Sequence, residues 1–526
     1  MSWTKTADLA DLDRKGRTVV RVNGRQIALF RVGEQIHACN NRCPHEGYPL
    51  VEGDVDPSCL LTCNWHNWKF DLRDGRNLYG GDGLRIYPVE VRGDAVWVDL
   101  TDPPADVQAA TVIEHLREAF DDNSYDRMAR EVARWRRLGR DPLDLVRRAI
   151  GWAHERMEFG ATHAFAGTVD WVTLYDESSG NDDRQLVAIL ESIGHMADDV
   201  LRQPAHAFTT ARRDWLRQSF LDAVESEDED GAIALLAGGL DNGRPLDDML
   251  SAVETAALAH YRDFGHALIY TDKFRQAIAR LGGDVAAPLL KSLVRGFCYG
   301  VRDDQIPEFR RYRDFLTGWT GGGTRTRANG EADFRGLGVN PSMEKTVAAG
   351  AELTPDTLFD RLLRTSAANM LTYDMAYQRH IDGPIRDNVG WLSFTHAFTF
   401  ADAIGQVCAR RPELWPAALL QLACHNGRNA KYADAMHVGN EWRVEDPPAF
   451  IEQAIDGLYD HGLDEYIVSV HHLKTLLATR RLMAGGIAEE TASLMAAALN
   501  RFVNSPLKRR HTLRTAHQAR AFVAEE

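Results

Sequence analysis

The sequence has no apolar run long enough to span a bilayer. A membrane helix needs about 20 consecutive apolar residues, and every hydrophobic stretch here is broken sooner. The start of the chain, MSWTKTADLADLDRKG, has no apolar core of signal-peptide type. The expectation is a cytoplasmic protein with no membrane partner. Positive charge is in deficit: 61 Lys and Arg stand against 76 Asp and Glu, a net charge of −15. This argues against nucleic acid as a main partner. No G-x-G-x-x-G follows a strand pattern and no Walker motif occurs, so flavin, NAD and ATP sites are unsupported. Cysteine is scarce, with seven in 526 residues.

What is present is unevenly spread. Cys39, Cys43, Cys59 and Cys63 all fall near the start, beside His45 and His66. Clustered Cys and His in a cytosolic chain point to metal rather than disulfides. Residues 1–100 read as short β runs: Val19–Val22, Ile27–Val32, Ile36–Cys39, Lys69–Leu72, Ile86–Val91 and Val96–Leu100. Turn pairs such as Asn23-Gly24 and Gly93-Asp94 separate them. Thr101-Asp102-Pro103-Pro104 reads as a linker, and helical periodicity dominates from about residue 108. The fold class expected is multidomain: an all-β antiparallel domain over 1–103, then a large all-α domain over 104–526. Within the second, 317–350 carries eight glycines and reads as a long loop with a ring of arginines around it.

The chemistry-bearing pattern is Cys43-Pro44-His45, seventeen residues, then Cys63-Asn64-Trp65-His66. Each short unit offers one thiolate and one imidazole from a loop tip. Zinc fingers usually pair Cys with Cys and His with His, whereas these pairs are mixed. Two thiolates on one iron and two imidazoles on the other is the ligand set of a [2Fe–2S] cluster with mixed ligation. From residue 3 to 100 the sequence resembles the Rieske domains of ferredoxins and ring-hydroxylating oxygenases. The resemblance rests on Asn41–Gly47, Leu61–Asp71, Tyr87-Pro88-Val89 and Val96-Trp97-Val98. One departure is Asn67, where the family usually has Gly. Respiratory Rieske proteins join the two loops by a disulfide and have Ser and Tyr hydroxyls near the sulfurs. Tyr48 and Trp65 occupy the disulfide positions here, and Trp68 and Phe70 the hydroxyl positions. The resemblance therefore implies a potential toward the low end of the Rieske range.

The helical region lacks the usual signatures of a second iron. After the linker there is no H-x4-H, as an ordinary ring-hydroxylating oxygenase would have, and no E-x-x-H of ferritin-like type. Sixteen of the nineteen histidines nevertheless lie there. Three share a context: Thr162-His163-Ala164-Phe165, Gly265-His266-Ala267-Leu268 and Thr395-His396-Ala397-Phe398. Helix bundles build metal sites from inward side chains on several helices, and neutral imidazole suits iron. The candidate ligands are His195, His266, His396, His471 or His472, and His163, with Glu191 as a carboxylate one turn before His195. Because adjacent residues point about 100° apart, only one of His471 and His472 should face inward. Asp272 and Asp402, six residues past their histidines, suit a supporting role. His425 and the Asp434–His437 pair are weaker candidates.

This region also resembles the questin-oxidase-like family of all-helical oxygenases, at Phe264–Leu268, His396–Ala401 and Asp464–Val468. That implies reductant-dependent oxygen insertion into an organic, often polycyclic, substrate. The leading reading is an oxygenase: an external reductase or ferredoxin feeds the cluster, and non-heme iron in the helical domain uses O2 on a small-molecule substrate. The competing reading is an electron-transfer or redox-sensing protein whose helical domain is a docking scaffold. A third has the helical domain using heme or no cofactor. A homo-oligomer is expected only by analogy with Rieske oxygenases.

Overall fold

The computed structural model describes residues 3–326, 334–434, 439–508 and 510–526. The chain divides into two compact units, Met1–Arg140 and Asp141–Glu526.

The first unit is built on eleven short strands: β1 (Trp3–Asp8), β2 (Arg17–Val22), β3 (Arg25–Val32), β4 (Gln35–Asn40), β5 (Asp54–Val55), β6 (Leu60–Thr62), β7 (Lys69–Asp71), β8 (Asn77–Tyr79), β9 (Ile86–Tyr87), β10 (Val89–Arg92) and β11 (Ala95–Asp99). They form three sheets, ordered β1-β11-β10, β2-β3-β4-β9 and β5-β6-β7-β8, with antiparallel neighbours throughout. The β2–β3 hairpin shows how sequence sets register. Val22 pairs with Arg25, so Asn23 and Gly24 alone make the turn. Both have positive φ, 49° and 76°, the conformation an Asn-Gly two-residue turn supplies. Alternate residues of β3 and β4 then fill two cores. One holds Ile27, Leu29, Val96 and Val98. The other holds Phe30, Leu50, Leu61, Phe70 and Leu72 with Cys43 and Cys63. The second core lies directly beneath the cysteines.

The expected boundary at residue 103 falls inside this unit. Helices Ala105–Asp121 and Tyr125–Arg137 fall within it, and one buried carboxylate ties the second of them to the β region. Asp82 is 1 % exposed and accepts from Arg127 Nε at 2.9 Å and Arg130 Nε at 2.7 Å. A buried carboxylate needs such partners.

The second unit is helical. Five helices matter here: α1 (His163–Glu177), α2 (Asp182–Asp199), α3 (His266–Leu281), α4 (Leu392–Arg410) and α5 (Tyr466–Ala484). Four of them close a ring: α1 packs on α3, α3 on α4, α4 on α5, and α5 on α1. A network of buried ions ties the ring together. Asp170 of α1 accepts from Lys273 of α3 at 2.7 Å and from Arg481 of α5 at 3.2 Å. Arg481 also reaches Asp402 of α4 at 2.7 Å, and Arg410 of α4 reaches Asp272 of α3 at 3.2 Å. These residues lie one to four turns C-terminal to the histidines of the same helices, so the four helices run parallel. Long excursions connect them, as parallel neighbours require. The long loop expected over 317–350 is shorter, because Val339–Gly350 is a helix; residues 327–333 lie outside the described residues. Among the described residues no helix is long and apolar enough to cross a membrane.

Candidate metal centres

In the first unit the two ligand loops are copies of one backbone design. Cys43 N–H donates to Tyr48 O and Cys63 N–H to Trp68 O; Gly47 N–H donates to Cys43 O and Asn67 N–H to Cys63 O. Each loop therefore closes over five residues, and each needs a left-handed residue four past its cysteine. Gly47 has φ 77° and Asn67 has φ 62°. Asn67 thus adopts the backbone its Gly counterpart would, which Asn tolerates better than most residues. The design brings His45 Nδ1 to 3.1 Å from His66 Nδ1. Two imidazole nitrogens about 2.1 Å from one tetrahedral metal stand roughly 3.4 Å apart, so the pair fits a single iron. Both cysteines are buried, and the Cys43 thiol interacts with that of Cys63. Burial pushes the Cys43 thiol up to about 11, while the His45 and Glu46 N–H groups pull it down. Those N–H groups favour the thiolate that iron requires.

Aromatic rings hold the loops together. Trp68 of the second loop stacks on His45 of the first, centroids 4.7 Å apart, and Trp65 stacks on His66 at 5.3 Å. Tyr48 and Trp65 meet edge to face at 5.4 Å. An aromatic pair thus spans the loops where respiratory relatives have a disulfide. Among the described residues all seven cysteines are free.

Residues 2–80 match the family described as the Rieske [2Fe-2S] domain. The ferredoxin subunit of 3-phenylpropionate/cinnamic acid dioxygenase from Escherichia coli is 37% identical over 76 residues, 14% of this chain and 72% of that protein. The chain belongs to the Rieske [2Fe-2S] family. The Rieske region is also 37% identical over 103 residues to a 4beta-methylsterol monooxygenase of Methylococcus capsulatus, 17% of this chain. The chain spans only 28% of that relative's length. The ferredoxin of carbazole 1,9a-dioxygenase from Nocardioides aromaticivorans is 27% identical, covering 19% of this chain and all of the ferredoxin, with a TM-score of 0.18. These matches cover no more than 19% of the chain. The expected likeness of the helical unit to questin-oxidase-like proteins lies outside the residues these matches cover.

In the helical unit the structure gathers His163, His266, His396 and His471, one from each helix of the ring. His266 Nε2 lies 3.2 Å from His163 Nε2, and His471 Nε2 lies 3.2 Å from His396 Nε2. Ring centroids within the group are 4.5–5.9 Å apart. The second nitrogen of three rings is hydrogen-bonded elsewhere, and that of His266 lies against a carboxylate without hydrogen-bond geometry. His396 Nδ1 faces Leu392 O at 2.5 Å and His471 Nδ1 faces Ile467 O at 2.6 Å. A carbonyl can only accept, so both rings carry their proton on Nδ1 and present a lone pair on Nε2. His163 Nδ1 meets the Tyr270 hydroxyl at 3.2 Å, and His266 Nδ1 lies 3.0 Å from an Asp263 carboxylate oxygen. Metal-bound histidines are oriented in this way. Burial, reinforced by Lys474 and the neighbouring rings, holds the pKa of His163 and His396 well below the usual value, so both are neutral. Three of the four, His163, His396 and His471, have ligand atoms all within 4.8 Å of one another.

Local backbone aims these side chains. Asp263, Phe264 and Gly265 all have positive φ, 40°, 53° and 84°, a sharp corner that starts α3 at His266. A Cβ on Gly265 would stand 2.5 Å from the Phe400 ring, so only glycine fits. Non-Gly residues in this region store strain that tends to cluster at functional sites. Lys474, one turn past His471, is 0 % exposed and its Nζ has no hydrogen-bond partner. Burial pushes its pKa down to about 7.

Other candidates stand elsewhere. Glu191 pairs with His461 at 3.2 Å. His195 stacks on Tyr466 at 5.2 Å and lies 3.7 Å from Asp199. Glu191 and His195 do share one face of α2, but each has its own partners rather than a place in the four-histidine group. His472 packs on Phe502, its adjacent position turning it away from the partners of His471. His425 lies among Tyr261, Phe264 and Phe400. His437 lies outside the described residues. Asp272 and Asp402 hold arginines, the supporting role their spacing suggested. Sequence reasoning missed Asp263 and Tyr270. Asp263-x-x-His266 was a readable signal, hidden because the aspartate sits on the corner before the helix.

Proposed function

We propose that this protein is a Rieske-dependent oxygenase that oxidises a small organic substrate with O2, using iron held by His163, His266, His396 and His471. The observation that carries the reading is four imidazoles converging from four helices, three hydrogen-bonded through the other nitrogen and His266 set against the Asp263 carboxylate. Imidazole is a ligand that suits iron among other transition metals, and iron is the one that a Rieske donor would reduce. A [2Fe–2S] cluster held by Cys43, His45, Cys63 and His66 supplies one-electron transfer, and iron in the bundle supplies reduction of dioxygen. The balance is that of a monooxygenation: O2, two protons, two electrons and R–H give R–OH and water. The electrons come singly from an external reductase or ferredoxin. The chain's own residues do the rest. The ion network of Asp170, Lys273, Asp402 and Arg481 fixes the four helices, the Nδ1 partners fix ring orientation, and burial holds the His163 and His396 imidazoles neutral.

The test is single-turnover reoxidation. Reduced protein is mixed with O2 and the cluster's visible spectrum followed. Wild type should reoxidise at least ten-fold faster than His396→Ala or His471→Ala (about 1.4 kcal/mol of barrier). Equal rates would show that the helical unit takes no part in oxygen reduction.

A further inference from the structure

A cavity of about 490 Å³ borders the four-histidine group. His266 and Tyr270 form the side nearest the histidines; Met157, Phe159, Leu293 and Phe297 supply apolar wall. Its volume falls within the range of small-molecule sites, which combine apolar walls with a few placed polar groups. The polar groups are unequally satisfied. Asp263 is engaged with His266 at 3.0 Å, and Asp199 accepts from the Thr162 hydroxyl at 2.5 Å. Burial pushes the Asp199 carboxyl upward, toward its neutral form.

Arg262 differs. It lines the same cavity and is 2 % exposed. One guanidinium nitrogen donates to the Phe297 carbonyl, but Nε has no partner. Among the described residues no carboxylate lies within ion-pair distance of it, although arginines 295, 302 and 313 nearby each have one. A buried cation with no direct ion pair is costly; burial and the neighbouring Arg302 work against its charge, and the Asp304 and Glu225 carboxylates offset this only from beyond ion-pair distance. Arginine matches a carboxylate through paired donors.

We infer that this cavity binds a small organic anion, its carboxylate or acidic phenolate paired with Arg262 and its apolar ring body lying toward His266 and Tyr270. This rests on the oxygenase reading for its purpose, but the binding itself does not. An anionic end at Arg262 would fix which part of the ring body meets the metal centre, which is how positioning raises rate.

The probes are 2-naphthoate and 2-naphthamide, equal in shape and different in charge. Each is titrated calorimetrically into the full chain at neutral pH. Naphthoate should bind about ten-fold more tightly, the worth of a hydrogen bond to a charged group. Arg262→Gln should bring the ratio close to one, and Leu293→Trp, which fills the cavity, should abolish binding of both. Because Arg262 also holds the Phe297 carbonyl, the wild-type ratio and Leu293→Trp decide the matter if Arg262→Gln does not fold. Equal affinity for the two probes, no binding of either, or naphthoate binding untouched by Leu293→Trp overturns the inference. Anion preference in a protein whose reoxidation is unchanged by His396→Ala would keep the cavity and remove the oxygenase reading.

Discussion

The proposed ligands of the N-terminal centre lie between residues 43 and 66, and those proposed for the helical group between residues 163 and 471. The first set rides on two loop tips whose backbone hydrogen bonds close within each loop. His66 is exposed and its ring stacks on an exposed Trp65, as suits a centre that must hand electrons to another surface. Three of the second set are buried and His163 is half-buried, and their positions depend on four helices that lie far from one another in sequence. Local design makes the first centre readable; long-range packing makes the second hard to see.

The sharpest way to break this comparison is to remove one centre and ask whether the other survives. Cys43→Ser should lose all acid-labile sulfide and visible absorption while iron in the helical unit stays, as metal analysis would show. Loss of both irons' signals together would mean that the centres are not independent. Next in size is Asp263→Asn, which leaves four imidazoles but weakens the partner of His266 Nδ1. Chelator competition should show iron held about 10–100-fold less tightly.

Burial gives the helical centre a pH signature that the loops lack. Lys474 is pushed down to about 7, against an ordinary value near 10.4. Between these values the unfolded chain binds more protons than the folded one, so stability rises with pH across that window and its deficit is complete below it. Lys474→Met should stabilise the protein by about 1–3 kcal/mol at pH 6, with the gain fading toward pH 10, as thermal melts at several pH values would record. An equal gain at every pH would contradict the assignment.

The smallest effect tests the loop design. Asn67→Gly should leave the domain unchanged or slightly more stable, whereas Asn67→Ala should cost about 1 kcal/mol because of its left-handed backbone. Loss of cluster absorption in denaturant would report both.

The difference between the centres also explains what could be read from sequence. Cys43, His45, Cys63 and His66 were legible because one local motif carries each pair, and the strands were legible because two-residue turns such as Asn23-Gly24 fix their register. Two to three residue strands such as β5 and β8 leave no periodic trace. The compact unit runs on to Arg140, and the pairing of Asp82 with Arg127 and Arg130 beyond the Pro-Pro linker is a tertiary contact with no local mark. In the bundle, shared His-Ala-apolar contexts drew attention to His163, His266 and His396. Glu191 and His195 looked equally good on one helix face, yet α2 lies outside the ring that closes on the four histidines.

The most direct test of the account is iron and acid-labile sulfide per chain in protein purified without oxygen. The account predicts three irons and two sulfides in wild type, and two of each in His396→Ala. Two irons and two sulfides in wild type would leave the four histidines without iron and contradict it.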